Sequence, residues 1–157
     1  MAECKNIMVY VETAEGNPVK VGLEMLSPAK KLADKVTAVV IGGGVADAAK
    51  EVAKAGADQV ICVDSEDYKE FNLDAYAQVL VELVKEENPE AVFVGGTQDG
   101  KDIAPVVAAK CNTGCASDVL DIKAEDGEVI YTCPLYGGTV LEDVKIKTTP
   151  QIATLRS

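Results

Sequence analysis

One uninterrupted run gathers the residue types best suited to grip a ligand: Gly95-Gly96-Thr97-Gln98-Asp99-Gly100-Lys101-Asp102. Glycines let backbone amides approach a ligand closely, Thr97 brings a hydroxyl and Lys101 a positive charge, and a helix beginning here offers unpaired N–H groups to an anion. Lys101 is followed by Asp102 rather than by Ser or Thr, so the run lacks the ending through which a P-loop holds a magnesium nucleotide. Nucleotide hydrolysis is therefore not expected. The same residues also suit a purely structural turn in which Asp102 caps the following helix. Gly95, Gly96, Thr97, Gly100, Lys101 and Asp102 are the candidate cofactor-binding positions, bordering either a ligand or a subunit interface.

Other chemistry is thinly represented. Gly42-Gly43-Gly44 invites a dinucleotide reading, but it follows the second predicted strand and Asp47 stands where a third fingerprint glycine belongs, so a tight turn is expected. Cys4, Cys62, Cys111, Cys115 and Cys133 form no CxxC pair, and an odd number cannot close a disulfide framework. Cys111 and Cys115 have no second pair of ligands nearby, and no metal site is predicted. Histidine is absent. That removes Ser/His/Asp and Cys/His catalysis, and Glu142 and Asp143, adjacent on a predicted strand, point to opposite faces. No catalytic residue is nominated, and the chain reads as a binding or carrier module rather than an enzyme.

The elements that must position the glycine run follow from periodicity. Positions 91–94 are a short apolar run bounded by Pro89 and the glycines, which predicts a buried strand, and Ile103, Val106 and Val107 fall on one face of a helix reaching about Lys110. Upstream, strands are predicted at 6–11, 36–41 and 58–63. Helices are predicted at 19–35 with a kink at Pro28, at 45–55 closed by Gly56, and from the cap Asn72 to just before Asn88-Pro89. Four strands alternating with four helices predict an α/β fold with a doubly wound, mainly parallel sheet, whose ligands sit at the carboxyl ends of the strands. Beyond Lys110, short strands at 117–123, 128–132, 139–145 and 151–155 are expected to extend that sheet as antiparallel or edge strands. No composition shift marks a domain boundary, so positions 1–157 are expected to form a single α/β domain.

Length and charge set the outer limits. A chain of 157 residues with 48% hydrophobic content supports one core, since a domain of ~150 residues buries roughly 70% of its unfolded surface. The net charge is −11 and arginine occurs only at Arg156, which excludes a phosphate-neutralising face for nucleic acid. Acidic residues concentrate at 64–70, 82–90 and 118–128, as solvated faces or as a docking surface for a basic partner. No apolar run approaches the ~18 residues of a membrane span, and the amino terminus lacks the apolar core of a signal peptide. A cytoplasmic protein with no membrane insertion is expected.

Several segments, taken in order, carry a family resemblance: Val11-Glu12, Leu23-Glu24-Met25-Leu26 with Ala29 to Ala33, Ala55-Gly56-Ala57-Asp58, Gly96-Thr97 with Gly100-Lys101-Asp102-Ile103-Ala104-Pro105, Ala116-Ser117-Asp118, Tyr136-Gly137-Gly138 and Pro150-Gln151-Ile152-Ala153-Thr154-Leu155-Arg156. Over essentially its whole length the chain resembles the amino-terminal domain of the electron-transfer flavoprotein alpha subunit. The resemblance implies an adenine-nucleotide α-hydrolase-like fold, pairing with a homologous beta subunit, and a flavin-borne flow of electrons from dehydrogenases to an acceptor. It also implies that FAD belongs to the full complex, held mainly by a second, carboxy-terminal domain. The sequence stops at Ser157, just past the Arg that ordinarily precedes that domain, so this chain is expected to hold no flavin alone and to serve as scaffold and beta-pairing part. Lys101 replaces the arginine usual in the loop, which removes bidentate contact to phosphate or carboxylate. The competing expectation is a stand-alone module resembling universal-stress-type proteins, with AMP or ATP at positions 95–101. A third is an interaction protein without a ligand.

Overall fold

The computed structural model describes residues 4–157. In chain order its elements are β1 (Cys4–Tyr10), a hairpin of β2 (Thr13–Ala14) and β3 (Asn17–Pro18), α1 (Lys20–Glu24), α2 (Leu26–Leu32), β4 (Ala33–Gly42), α3 (Ala46–Lys54), β5 (Gln59–Asp64), α4 (Leu73–Glu87), β6 (Ala91–Gly95) and α5 (Gln98–Lys110). They are followed by β7 (Cys115–Val119), β8 (Asp121–Glu125), β9 (Glu128–Leu135), β10 (Val140–Val144) and β11 (Gln151–Leu155).

Six strands form one parallel sheet in the order β5-β4-β1-β6-β11-β7. Its central strands are apolar at nearly every position because both faces are covered. Ile7, Val9, Val36, Ala38 and Phe93 pack on one side with α2, α3 and Tyr131 of β9. Met8, Tyr10, Val39, Val92 and Ile152 pack on the other side against Tyr76 and Leu80 of α4 and Ile103 and Val107 of α5. The chain steps outward from β1 to β4 and β5, then returns past β1 to β6. Strand order therefore reverses between β1 and β6, and the carboxyl ends of those two strands open the crevice where such folds receive ligands.

The α/β class, the mainly parallel doubly wound sheet and the antiparallel strands near the carboxyl end agree with the sequence reading, but three details differ. Positions 151–155 are neither antiparallel nor at an edge: β11 lies between β6 and β7 and runs parallel to both. Its residues Ile152 to Leu155 are buried, as an interior strand requires. The segment expected as one strand at 117–123 is divided, with β7 in the main sheet and β8 joining β9 and β10 in a separate antiparallel sheet. The helix expected at 19–35 breaks at Met25 and ends at Leu32. Pro28 has no N–H to give the Glu24 carbonyl, so the regular ladder fails one turn before the proline itself.

Candidate functional site

The glycine run is held tightly where β6 passes into α5. Gly95 ends the strand and is buried, and Gly96 N–H donates to the Leu155 carbonyl at 2.8 Å, tying the loop to β11. Thr97 is the helix cap: its hydroxyl oxygen accepts from Gly100 N–H at 3.0 Å and its hydroxyl proton goes to Glu12 Oε2 at 2.7 Å. A Cβ on residue 100 would stand 1.8 Å from the Gly95 carbonyl oxygen, so the first turn of α5 rests directly on the strand end and only glycine fits.

The remaining candidates diverge. Lys101 is exposed and lines a hollow of about 260 Å³ with Ser117, Asp118 and Thr154. Asp102 is also exposed and accepts from Gln98 Nε2 at 3.2 Å. It caps nothing, because Thr97 has taken that role. Gly95, Gly96, Thr97 and Gly100 thus meet at the reversal point of the sheet, while Lys101 and Asp102 lie outside it.

Facing this loop is a cleft of about 390 Å³ lined by Tyr10, Glu12, Glu15, the Gly42–Gly44 turn, Lys69, Phe71, Tyr76 and Asp99. Burial holds the Glu12 carboxyl above its usual range; a hydrogen bond and the negative charge of Asp99 push the same way, against the hydroxyl of Thr97. One amide of the glycine turn that might seat a phosphate is already committed. Gly44, at φ +70°, gives its N–H to Asp64 Oδ1 at 2.8 Å. With the Gly100 amide spent on Thr97 and carboxylates lining the wall, these residues do not fit the phosphates of FAD or of AMP. Tyr10, Glu12 and Asp99 were not among the sequence candidates. Their signal is positional: Tyr10 and Glu12 stand at the carboxyl end of an apolar run, and Asp99 lies inside the glycine run.

A second set of contacts locks the neighbouring strand ends. Asp118, at φ +59°, donates its N–H to the Thr154 hydroxyl oxygen at 2.8 Å. Its carboxylate is clasped by both Nε, at 3.0 Å, and Nη2 of Arg156, which holds it below the usual carboxylate range. The segments richest in family character, 96–105, 116–118 and 150–156, are therefore one structural unit at the carboxyl ends of β6, β11 and β7. Leu135, Tyr136, Val140 and Leu141 are exposed around β9 and β10, Tyr136 at 83%.

The electron transfer flavoprotein domain matches this chain over residues 7–157. This chain belongs to the electron transfer flavoprotein family. Among its relatives are protein FixB of Clostridium saccharobutylicum and the electron transfer flavoprotein subunit alpha of Clostridium acetobutylicum, each 36% identical across 99% of this chain and 48% of the relative. The acryloyl-CoA reductase electron transfer subunit beta of Anaerotignum propionicum is 38% identical across 89% of this chain and 46% of its own length. The chain spans about half the length of these relatives and corresponds to the amino-terminal part of the alpha subunits. No helix among the described residues is long and apolar enough to cross a membrane.

Proposed function

We propose that this chain works as the scaffold and beta-pairing domain of an electron-transfer flavoprotein alpha-type subunit, within a complex that carries electrons by FAD from flavin dehydrogenases to an acceptor. The observation that carries this reading is the closed state of the glycine run. Thr97 spends both its proton and its acceptor lone pair inside the chain, and Gly96 and Gly100 commit their amides in the same way. A loop so committed sets the shape of a strand end instead of holding a cofactor. FAD is then held by the rest of the complex, and the chain is a carrier component without a catalytic residue of its own.

The exposed apolar residues Leu135, Tyr136, Val140 and Leu141 supply the pairing surface. Leu135 and Val140 stand directly opposite each other on β9 and β10; apolar exposure of this kind marks protein interfaces, and the relatives' names are those of subunits. The occupant we assign is a beta-type subunit of the same family. Gly95, Gly96, Thr97, Gly100, Lys101 and Asp102 border this assembly, with Lys101 and Asp102 as its solvent-facing members. Replacing Thr97 and Lys101 together with alanine is expected to weaken binding of a beta-type subunit measured by calorimetry. Unchanged affinity would return the loop to a purely internal role. The nucleotide-module reading predicts instead that AMP binds the isolated chain in equilibrium dialysis, an outcome that the acidic cleft and the commitment of the Gly44 amide to Asp64 oppose.

A further inference from the structure

The loop that joins β9 to β10 has an unusual backbone. Tyr136, Gly137 and Gly138 stand at φ +51°, +67° and +95°, three successive left-handed residues. Glycine adopts that region freely, whereas an aromatic residue there is uncommon and strained. Packing does not impose the shape. A Cβ on Gly137 or Gly138 would meet no atom within 4 Å, and among the described residues the Tyr136 ring stacks on no other ring. A hairpin needs only a residue that tolerates the left-handed region at this point, and asparagine or glycine meets that need at lower cost.

The loop is nonetheless held in place. Leu135 pairs with Val140 at its base, the Thr139 hydroxyl donates to the Tyr136 carbonyl at 2.9 Å, and the Thr139 N–H donates to the same oxygen at 3.3 Å. The result is a braced platform that keeps a tyrosine 83% exposed beside the exposed Val140 and Leu141. A large side chain held in the open on a strained backbone is pre-ordered for a contact made with another molecule. Tyrosine suits that contact because it brings a broad apolar ring and a polar tip at little cost in rotamer freedom.

Charge narrows the choice of partner. The chain carries a net charge of −11. On β10, Asp143 is engaged by Lys123, while Glu142 makes no ion pair among the described residues. A second copy of the chain would bring the same negative excess to the contact and be repelled. We infer that Tyr136 is the anchor by which this chain engages a beta-type subunit. Its ring enters an apolar pocket of that subunit, with a hydrogen-bonding group at the floor for the phenol and a lysine or arginine on the rim facing Glu142. The anchor role rests on the pairing assigned above, to which it adds the side chain that carries the affinity and the chemistry that receives it.

The test is calorimetry of the 157-residue chain with a beta-type electron-transfer flavoprotein subunit, one substitution at a time. Tyr136→Ala is expected to weaken binding about thirtyfold or more, and Val140→Ala or Leu141→Ala by less than about fivefold each, as around a dominant contact. Tyr136→Asn suits the left-handed backbone but removes the ring, so it should weaken binding as much as alanine does with a melting temperature no lower than that of the parent chain. That pair of readings separates partner contact from folding. Raising potassium chloride from about 50 to 500 mM should weaken the parent complex, and Glu142→Gln should lessen that dependence. A complex whose affinity survives Tyr136→Ala, or falls further with Leu141→Ala, would overturn the anchor role and leave the pairing standing. Self-association of the chain in sedimentation, abolished by Tyr136→Asn, would overturn the choice of partner. A parent chain that binds no beta-type subunit would overturn the pairing and the anchor together.

Discussion

Thr97 shows how a residue chosen for ligand chemistry can be consumed by structure. It was legible in the sequence as a hydroxyl at a strand's carboxyl end, but its two bonds, to Glu12 and to Gly100, were not: Glu12 lies 85 positions away, and spacing along the chain carries no trace of that pairing. Thr97→Ala is expected to cost about 1 kcal/mol for the lost cap, and Thr97→Ser to restore most of it, as read by chemical denaturation. Gly100→Ala drives a methyl into the Gly95 carbonyl. Overpacking of this kind costs at least ~3 kcal/mol, roughly 6–12 °C in melting temperature for a chain of this size. At Glu12 the carboxyl is raised in the folded state by burial and by Asp99, so folding takes up a proton and stability falls as pH rises through that raised value. Glu12→Gln is therefore expected to raise the melting temperature at pH 7, with the gain shrinking as pH falls toward the ordinary carboxylate range. A gain that stayed constant down to pH 4 would contradict this assignment of the shift.

At the scale of elements, periodicity identified those whose surroundings are local. Helix α4, with its Asn72 cap accepting from Ala75 N–H at 3.0 Å and its left-handed end at Asn88, follows the boundaries predicted for it. β11 was recognised as a strand, but its place was not, because a five-residue segment whose apolar residues are Ile152, Ala153 and Leu155 looks alike at an edge and in an interior. What fixes it there is the pairing of Ile152 to Val92 on one side and to Cys115 on the other, both long-range. The small sheet of β8, β9 and β10 stands apart from the main sheet, and its strand β10 leaves Val140 and Leu141 exposed. Tyr136→Asp combined with Leu141→Asp is expected to abolish binding of a beta-type subunit, while changing stability by no more than about 0.5 kcal/mol, the range of exposed substitutions. A large loss of stability would mean that these side chains serve the fold instead.

For the whole molecule, the sheet reverses direction between β1 and β6 and brings an acidic, aromatic-walled cleft to the position where related architectures take nucleotides. Fold alone would suggest a nucleotide there, and the residues argue otherwise: the Gly44 amide is held by Asp64, the Gly100 amide by Thr97, and carboxyls dominate the wall. Function in such a fold rests on the site and not on the topology. The family-like segments 96–105, 116–118 and 150–156, separated along the chain, become one cross-linked corner in space, where Gly96 meets Leu155 and Asp118 meets both Thr154 and Arg156. The central claim is that this chain is a pairing scaffold and not a nucleotide-binding unit. Its most direct test is light scattering on a size-exclusion column of the 157-residue chain mixed with a beta-type electron-transfer flavoprotein subunit, with AMP binding measured on each component. A one-to-one complex that the Tyr136 and Leu141 substitutions dissolve, with no AMP on the isolated chain, is the predicted result. Separate elution of the two proteins, with stoichiometric AMP on this chain, would contradict the account.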